Sequence, residues 1–201
     1  MGNLFRMSER VWQEDWRLVR LIKYMGIYFA SAFLPMMFVF TATFTNSATI
    51  SYNGLAVDNE GNAYIGKACE IYIVDPLGAP LGTIEIPSER GAFRFFITEE
   101  NQLRLRASGY VYTMDLQGNI IKQQKPVKEL LAEFPANPQR KAIASDGKVY
   151  TMKMPFLRTV VQVQEGETVS TIYEMPLYDY SVRLVFFLLA ISWVIFIPVT
   201  I

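Results

Sequence analysis

Two long apolar runs bracket this chain, Tyr24 to Phe44 near its start and Leu184 to Ile201 at its end, and neither contains a charged side chain. About 20 apolar residues at about 1.5 Å rise cross the roughly 30 Å hydrocarbon core of a bilayer, and each run is close to that length. Both are read as transmembrane helices. The expected organisation is a cytoplasmic amphipathic leader over 1–20, a first span over 21–44, a module over 45–180 tethered at both ends, and a second span over 181–201. In 201 residues there is room for one ordinary domain between the spans, and the spans raise the hydrophobic fraction to 51%.

Basic residues beside a span stay on the cytoplasmic side. Arg6, Arg10, Arg17, Arg20 and Lys23 precede the first run, and the next basic residue is Lys67. Both termini are therefore expected in the cytoplasm, with the module outside. Arg183, at the outer edge of the second run, goes against this rule, but its long side chain can snorkel to the headgroups. The first run exceeds the roughly 7–15 apolar residues of a signal peptide and lacks a small-x-small cleavage site, so an uncleaved anchor is expected. The second run reaches Ile201, so either no tail follows it or the chain is a truncated product. Trp12, Trp16, Val19 and Lys23, with Val11 and Leu18, lie at helical spacing, as in an interfacial amphipathic helix or a solvated extension of the span. Pro35 is expected to kink the first span, and Gly26 and Ala30 to admit a close helix neighbour. Neither run has an ionisable residue at its centre, which argues against an ion or proton pathway.

The chain has no histidine, which removes Ser-His-Asp and Cys-His catalysis, the usual zinc sites and the commonest general base near neutral pH. A non-enzymatic role with no cofactor and no resident metal is expected. Lys+Arg and Asp+Glu balance at 19 each, so no strong field draws nucleic acid. With Cys69 as its one cysteine the chain forms no internal disulfide, and Cys69 is read as a small buried residue.

Between the runs, short β-branched and aromatic segments alternate with Gly, Asn, Asp and Pro: Ala63 to Ile65, Ile71 to Val74, Tyr110 to Met114 and Thr159 to Val163. The fold class is an all-β module. Aligning the turns brings out three copies within 54–176. The first opens GLAVDNEGNAYI at Gly54 and closes IYIVDPLGAPLGTI at Ile84; the second runs from Phe95 to Ile120 and the third from Lys141 to Val169. Val57, Ile97 and Ile143 correspond, as do Gly78, Gly118 and Gly166. Each copy reads strand, tight turn, strand, link, strand, tight turn, strand at a spacing of roughly 40 to 48 residues, the size of one propeller blade. The first copy in particular resembles an NHL-type β-propeller blade. The resemblance implies a module of three blade-like sheets and, since such propellers usually serve as recognition platforms, a binding role. About four to eight blades close a ring, so three leave an open stack, a six-blade ring completed by a second copy, or a ring shared with another protein. Val127 to Phe134 departs from the pattern and reads as a short helix inserted between copies two and three, followed by a turn at Pro135 to Pro138.

Three groups are candidate sites. Asp58, Asn59, Glu60 and Asn62 around Gly61 could offer oxygen ligands to calcium, and equally suit a plain hairpin turn. Arg90, Arg94, Arg104, Arg106 and the Arg140–Lys141 pair make the middle of the module basic, while Glu165, Glu167 and Glu174 are acidic; a basic face could meet anionic lipid or an acidic polymer, and solvated strands explain the same charges. Tyr173, Met175, Tyr178 and Tyr180 precede the second run and read as an interfacial aromatic belt. The expected function is a membrane-anchored recognition or assembly subunit that presents its β-module to a protein partner or a second copy. The alternatives are a structural accessory subunit of a membrane transport or envelope complex and a membrane-tethered enzyme; a small-molecule ligand is left open.

Overall fold

A computed structural model describes residues 16, 19–20, 22–29, 32–33, 35–42, 51–87 and 93–200, with side chains to Ile191. The chain divides into two compact units, one of Met1–Thr45 with Val182–Ile201 and one of Asn46–Ser181.

The second unit is all-β. Its described strands are β1 (Tyr52–Val57), β2 (Ala63–Lys67), β3 (Glu70–Val74), β4 (Pro80–Glu85), β5 (Arg94–Ile97), β6 (Leu103–Ala107), β7 (Tyr110–Met114), β8 (Ile120–Gln124), β9 (Lys141–Ile143), β10 (Val149–Lys153), β11 (Val160–Glu165) and β12 (Thr168–Glu174). They form three four-stranded antiparallel sheets, β1–β4, β5–β8 and β9–β12, each a meander in chain order. This is the blade-like repeat expected from the turns, with Val57, Ile97 and Ile143 ending the first strand of sheets 1, 2 and 3.

One turn recurs five times, and its chemistry explains the repeat. At 58–62, 75–79, 98–102, 115–119 and 144–148 the first N–H donates to the fifth carbonyl and the fourth N–H donates back to the first carbonyl. The fourth residue takes a positive φ: Gly61 86°, Gly78 91°, Gly118 91°, Gly147 84° and Asn101 60°. This is a type I turn closed by a left-handed residue, which glycine or asparagine enters at least cost. At three of the five positions an aspartate leads, and its Oδ1 accepts the fifth residue's N–H: Asp58 from Asn62 at 2.8 Å, Asp75 from Ala79 at 2.7 Å, Asp115 from Asn119 at 2.8 Å. Thr98 and Asp146 give weaker versions at 3.3 and 3.1 Å. Gly166 departs from its expected counterparts: it opens a two-residue turn between Glu165 and Thr168, with φ 61° at the first central position.

Packing follows from which strands alternate. Sheet 1 is apolar on both faces: Ala56, Tyr64 and Ile73 pair across one and Leu55, Ile65 and Tyr72 across the other. The first set joins Phe93, Phe95, Leu105, Tyr112 and Met114 of sheet 2 in one buried cluster. The second joins Tyr150, Met152, Val161 and Val163 of sheet 3 in another. Sheet 1 is thus sandwiched between sheets 2 and 3, although its chain neighbour is sheet 2 alone. Each fully buried Leu, Ile or Phe contributes about 1.5–3 kcal/mol, so the central sheet holds both clusters together. The contacts run one way: a Cβ on Gly118 would sit 2.9 Å from Ile84 of sheet 1, and one on Gly78 would sit 2.7 Å from the Ile172 carbonyl oxygen of sheet 3.

The link between sheets 2 and 3 carries α1 (Lys128–Ala132), shorter than the expected Val127 to Phe134 helix. Val127 gives it no side-chain cap, and none of its own residues is buried. The anchor is Phe134, buried and edge-on to Phe96 at 5.2 Å, while Arg94 Nη1 donates to the Pro135 carbonyl at 3.0 Å. The link therefore covers the face of sheet 2 turned away from sheet 1.

In the first unit residues 22–29 and 35–42 are helical; α2 spans Leu177–Thr200, beginning in the second unit and belonging to the first from Val182. Among the described residues no helix is long and apolar enough to cross a membrane. Ala30, Ser31, Leu34, Thr43 and Phe44 of the first apolar run and Ile201 of the second lie outside the described residues, as do Val11 and Trp12 of the leader. Trp16 and Val19 are helical and exposed. Among the described residues a Cβ on Gly26 would meet nothing within 4 Å, and Ala30, the other half of the expected small-residue pair, lies outside the described residues. Burial falls instead on Val39 and Ala42, beside an apolar groove lined by Ala32, Met36, Phe40, Phe186, Leu189 and Ala190.

Candidate functional site

The first strands of all three sheets meet, because β1 lies against both β5 and β9. The Leu55 N–H donates to the Gln139 carbonyl at 2.9 Å, across sheets. Gly54 makes this approach possible: at φ 133° its Cβ position is 3.4 Å from the Gln139 backbone and 3.7 Å from the Phe95 ring. The first turns are tied together as well. The Asn59 N–H donates to Asn101 Oδ1 at 3.1 Å, Ser145 Oγ donates to the Asn59 carbonyl at 3.1 Å, and Tyr150 OH donates to the Gly61 carbonyl at 2.7 Å.

Above these strands lies a cleft of about 500 Å³ lined by Val57, Phe96, Ile97, Phe134 and Ile143, with Glu133 and Lys141 at its rim. The three positions that correspond between the copies, Val57, Ile97 and Ile143, all line it. A lining that mixes these apolar side chains with Glu133, Gln139 and Lys141 suits a peptide segment, which offers both apolar side chains and hydrogen-bonding groups. Phe96 and Phe134 escaped the sequence reading. Phe134 lies in the link and Phe96 looks like one more strand aromatic, so only their contact marks them.

The predicted groups distribute as follows. The Asp58 carboxylate is buried and engaged by its own turn: Oδ1 accepts the N–H groups of Glu60 and Asn62 at 2.9 and 2.8 Å, and Oδ2 accepts Asn62 Nδ2 at 2.9 Å and Tyr64 OH at 3.3 Å. The hairpin reading of these residues is the one the geometry supports. Among the described residues no three of His, Cys, Asp and Glu come together as a metal site. Burial, then the Asp58 charge, pushes the Tyr64 phenol well above its ordinary value.

Arg94, Arg104 and Arg106 do come together, on the face of sheet 2 away from sheet 1, where the register pairs Arg94 with Arg106 and Phe96 with Arg104. Arg94 and Arg106 line a cleft of about 350 Å³ with Asn53 and Ser108. Arg140 and Lys141 belong to sheet 3, and Arg90 lies outside the described residues. The acidic residues form no single face: Glu165 is 3.7 Å from Lys148 at one end of β11–β12, and Glu174 is 2.8 Å from Arg158 at the other.

The aromatic belt is corrected in part. Tyr173 and Met175 are buried within the β-module, and Tyr178 alone of the four is an exposed ring. The Tyr173 ring lies 5.6 Å from Tyr72, and its hydroxyl shares a 3.0 Å hydrogen bond with Tyr52. Burial, then Tyr52, raises its pKa strongly. Beside it Lys67 sits 4.6 Å over the Tyr72 ring and 2.9 Å from Glu70; burial pulls its pKa down, but Glu70, with Tyr173 and Asp179, outweighs this and leaves it raised. This cluster stitches sheet 1 to sheet 3. Cys69 is half-buried in the β2–β3 turn rather than buried in the core, since a two-residue turn has too little cover.

The fold and the groove define an all-β module of three propeller-like blades. No family model and no curated protein matches the chain. Among solved structures it is similar to a catalytically inactive virginiamycin B lyase from Staphylococcus aureus determined with quinupristin, at 10% identity and a TM-score of 0.34, over 65% of this chain and 43% of that one. It is also similar to a protein of unknown function from Bacteroides caccae, at 8% identity and 0.31, over 64% of this chain and 62% of that one. The chain spans less than two thirds of either structure, and at these scores the likeness supports no statement about activity.

Proposed function

We propose that this chain is a membrane-anchored, non-catalytic recognition or assembly subunit that presents its extracytoplasmic, NHL-like β-module to a protein partner. The groove where β1, β5 and β9 meet carries the reading. Apolar and polar groups line it together, it lies at the turn end of the sheets, and that end carries exposed apolar residues: Leu77 is 90% and Ile143 67% exposed, and Ile120 and Val169 are exposed at other turns or strand ends of the same row. A concave groove of mixed lining with exposed apolar residues at the same end of the sheets is what a protein interface offers. The two charge-free apolar runs support anchoring at both ends, and the basic residues before the first support cytoplasmic termini.

The experiment compares proteins that co-purify stoichiometrically with the full chain in mild detergent and with an Ile143→Glu variant of unchanged unfolding temperature. A partner lost with Ile143→Glu supports the reading; identical partners for both chains overturn it. The groove lined by Phe40, Phe186 and Leu189 favours a second reading, an accessory subunit of a membrane transport or envelope complex. In that case a polytopic partner is kept by Ile143→Glu and lost on Phe186→Ala.

A further inference from the structure

The chain enters the β-module at Ser51 and leaves it at Met175, and antiparallel pairing puts both at one end of the sheets, together with each turn between second and third strands. Two hydrogen bonds fix this. The Ala68 N–H of the first such turn donates to the Ser51 carbonyl at 3.3 Å, and the Met175 N–H donates to the carbonyl of Thr159, which ends the third such turn, at 2.8 Å. In sheets 1 and 2 these turns are two small residues, Ala68–Cys69 and Ser108–Gly109. In sheet 3 the turn is longer and apolar. It runs from Met154 through a single 3₁₀ turn, Pro155–Leu157, closed by the Arg158 N–H on the Pro155 carbonyl at 3.0 Å.

Its backbone is strained toward solvent. Phe156 and Leu157 hold φ of 39° and 68°, a region bulky residues rarely occupy, and the Phe156 ring is 71% exposed, with Met154 exposed beside it. Exposed Lys153 and Arg158 flank the tip, Arg158 2.8 Å from the exposed Glu174 carboxylate. The base of the turn is bonded to Met175, which lies within about 7 Å along the chain of Leu177, the first residue of α2.

We propose that the Met154–Leu157 turn inserts into the outer interface of the bilayer, with Phe156 and Met154 among the acyl chains and Lys153 and Arg158 at the headgroups. This inference rests on the membrane-anchored reading. An apolar tip flanked by basic side chains is the chemistry of an interfacial anchor.

The test uses the full chain with Cys69→Ser in vesicles of phosphatidylcholine and phosphatidylglycerol. Single cysteines at Phe156→Cys, Met154→Cys and, at the opposite end, Val169→Cys carry a polarity-sensitive fluorophore. In chains that stay with the vesicles through an alkaline wash, blue-shifted emission at 154 or 156 and several-fold stronger quenching by spin-labelled lipid than at 169 are expected. Met154→Cys, outside the strained pair, serves if Phe156→Cys does not fold. Equal water-like emission at all three sites in washed vesicles overturns the insertion alone. A label shielded from water but not quenched by lipid also overturns it, since protein then covers the turn. A chain removed by the wash overturns the anchored reading and the insertion with it.

Discussion

Gly78 and Gly147 hold the same left-handed corner of the recurrent turn, yet their surroundings differ. A Cβ on Gly147 meets open space, whereas one on Gly78 lies 2.7 Å from the Ile172 carbonyl oxygen, a backbone atom that cannot swing aside. Gly147→Ala is expected to cost about 1–2 kcal/mol for the φ alone. Gly78→Ala adds about 1–3 kcal/mol of overpacking between sheets 1 and 3. Denaturant unfolding of the full chain in detergent, followed by circular dichroism, measures both. Alkaline stability is set by Tyr64, Tyr150 and Tyr173, whose phenols burial raises above the ordinary value. In the unfolded chain they ionise near about pH 10, in the fold only above it, so the unfolded state releases its protons first. Their contribution is whole below that value and is lost as pH rises through and beyond it. Absorbance at the phenolate band is expected to show these tyrosines ionising late and together with loss of the sheet signal.

At the scale of elements, the apolar hold on the link between sheets 2 and 3 is one side chain, with hydrogen bonds from Arg94 and Leu55 to its backbone beside it. α1 has five residues, too few for independent stability, and buries none of them. Phe134 against Phe96 supplies the hold, so Phe134→Ala is expected to cost about 3 kcal/mol. Hydrogen exchange should show lost protection confined to β5–β8 and the link; uniform loss across the three sheets would place the weak point elsewhere. The strand patterns also encode which sheet is central. Leu103-Arg104-Leu105-Arg106 and Val161-Gln162-Val163-Gln164 alternate, as half-buried strands do, whereas Leu55-Ala56-Val57 and Ile71-Tyr72-Ile73-Val74 run apolar without a break. Two buried faces demand an unbroken run, and sheet 1 has them.

For the whole molecule, the proposed anchoring at both ends has a direct signature. After alkaline carbonate washing the chain is expected to stay with the membrane, and protease added outside should release a fragment containing the β-module. A chain found in the wash, or one cleaved only after the membrane is opened, would reverse the anchoring or the orientation. The three sheets form a stack with sheet 1 inside, and the link screens one outer face of that stack at Phe96. Light scattering in mild detergent then distinguishes a monomeric stack from two stacks closing one ring.

Local chemistry is what the sequence determined by itself: apolar runs of bilayer length, an all-β module, and three copies of one turn grammar. Each rests on interactions within a few residues, such as Asp58 holding the N–H groups of its own turn. Even the alignment of Val57, Ile97 and Ile143 was legible, because equivalent turns place equivalent residues. The tertiary structure alone decided that those three residues line one groove, that Phe96 and Phe134 complete it, and that Tyr173 belongs to the module rather than to a belt. Such contacts join residues far apart in the chain, and their energy depends on which side chains of different segments meet, which no local pattern encodes. The strained turn at Phe156 is of the same kind: its composition looks ordinary, and only its backbone and exposure set it apart.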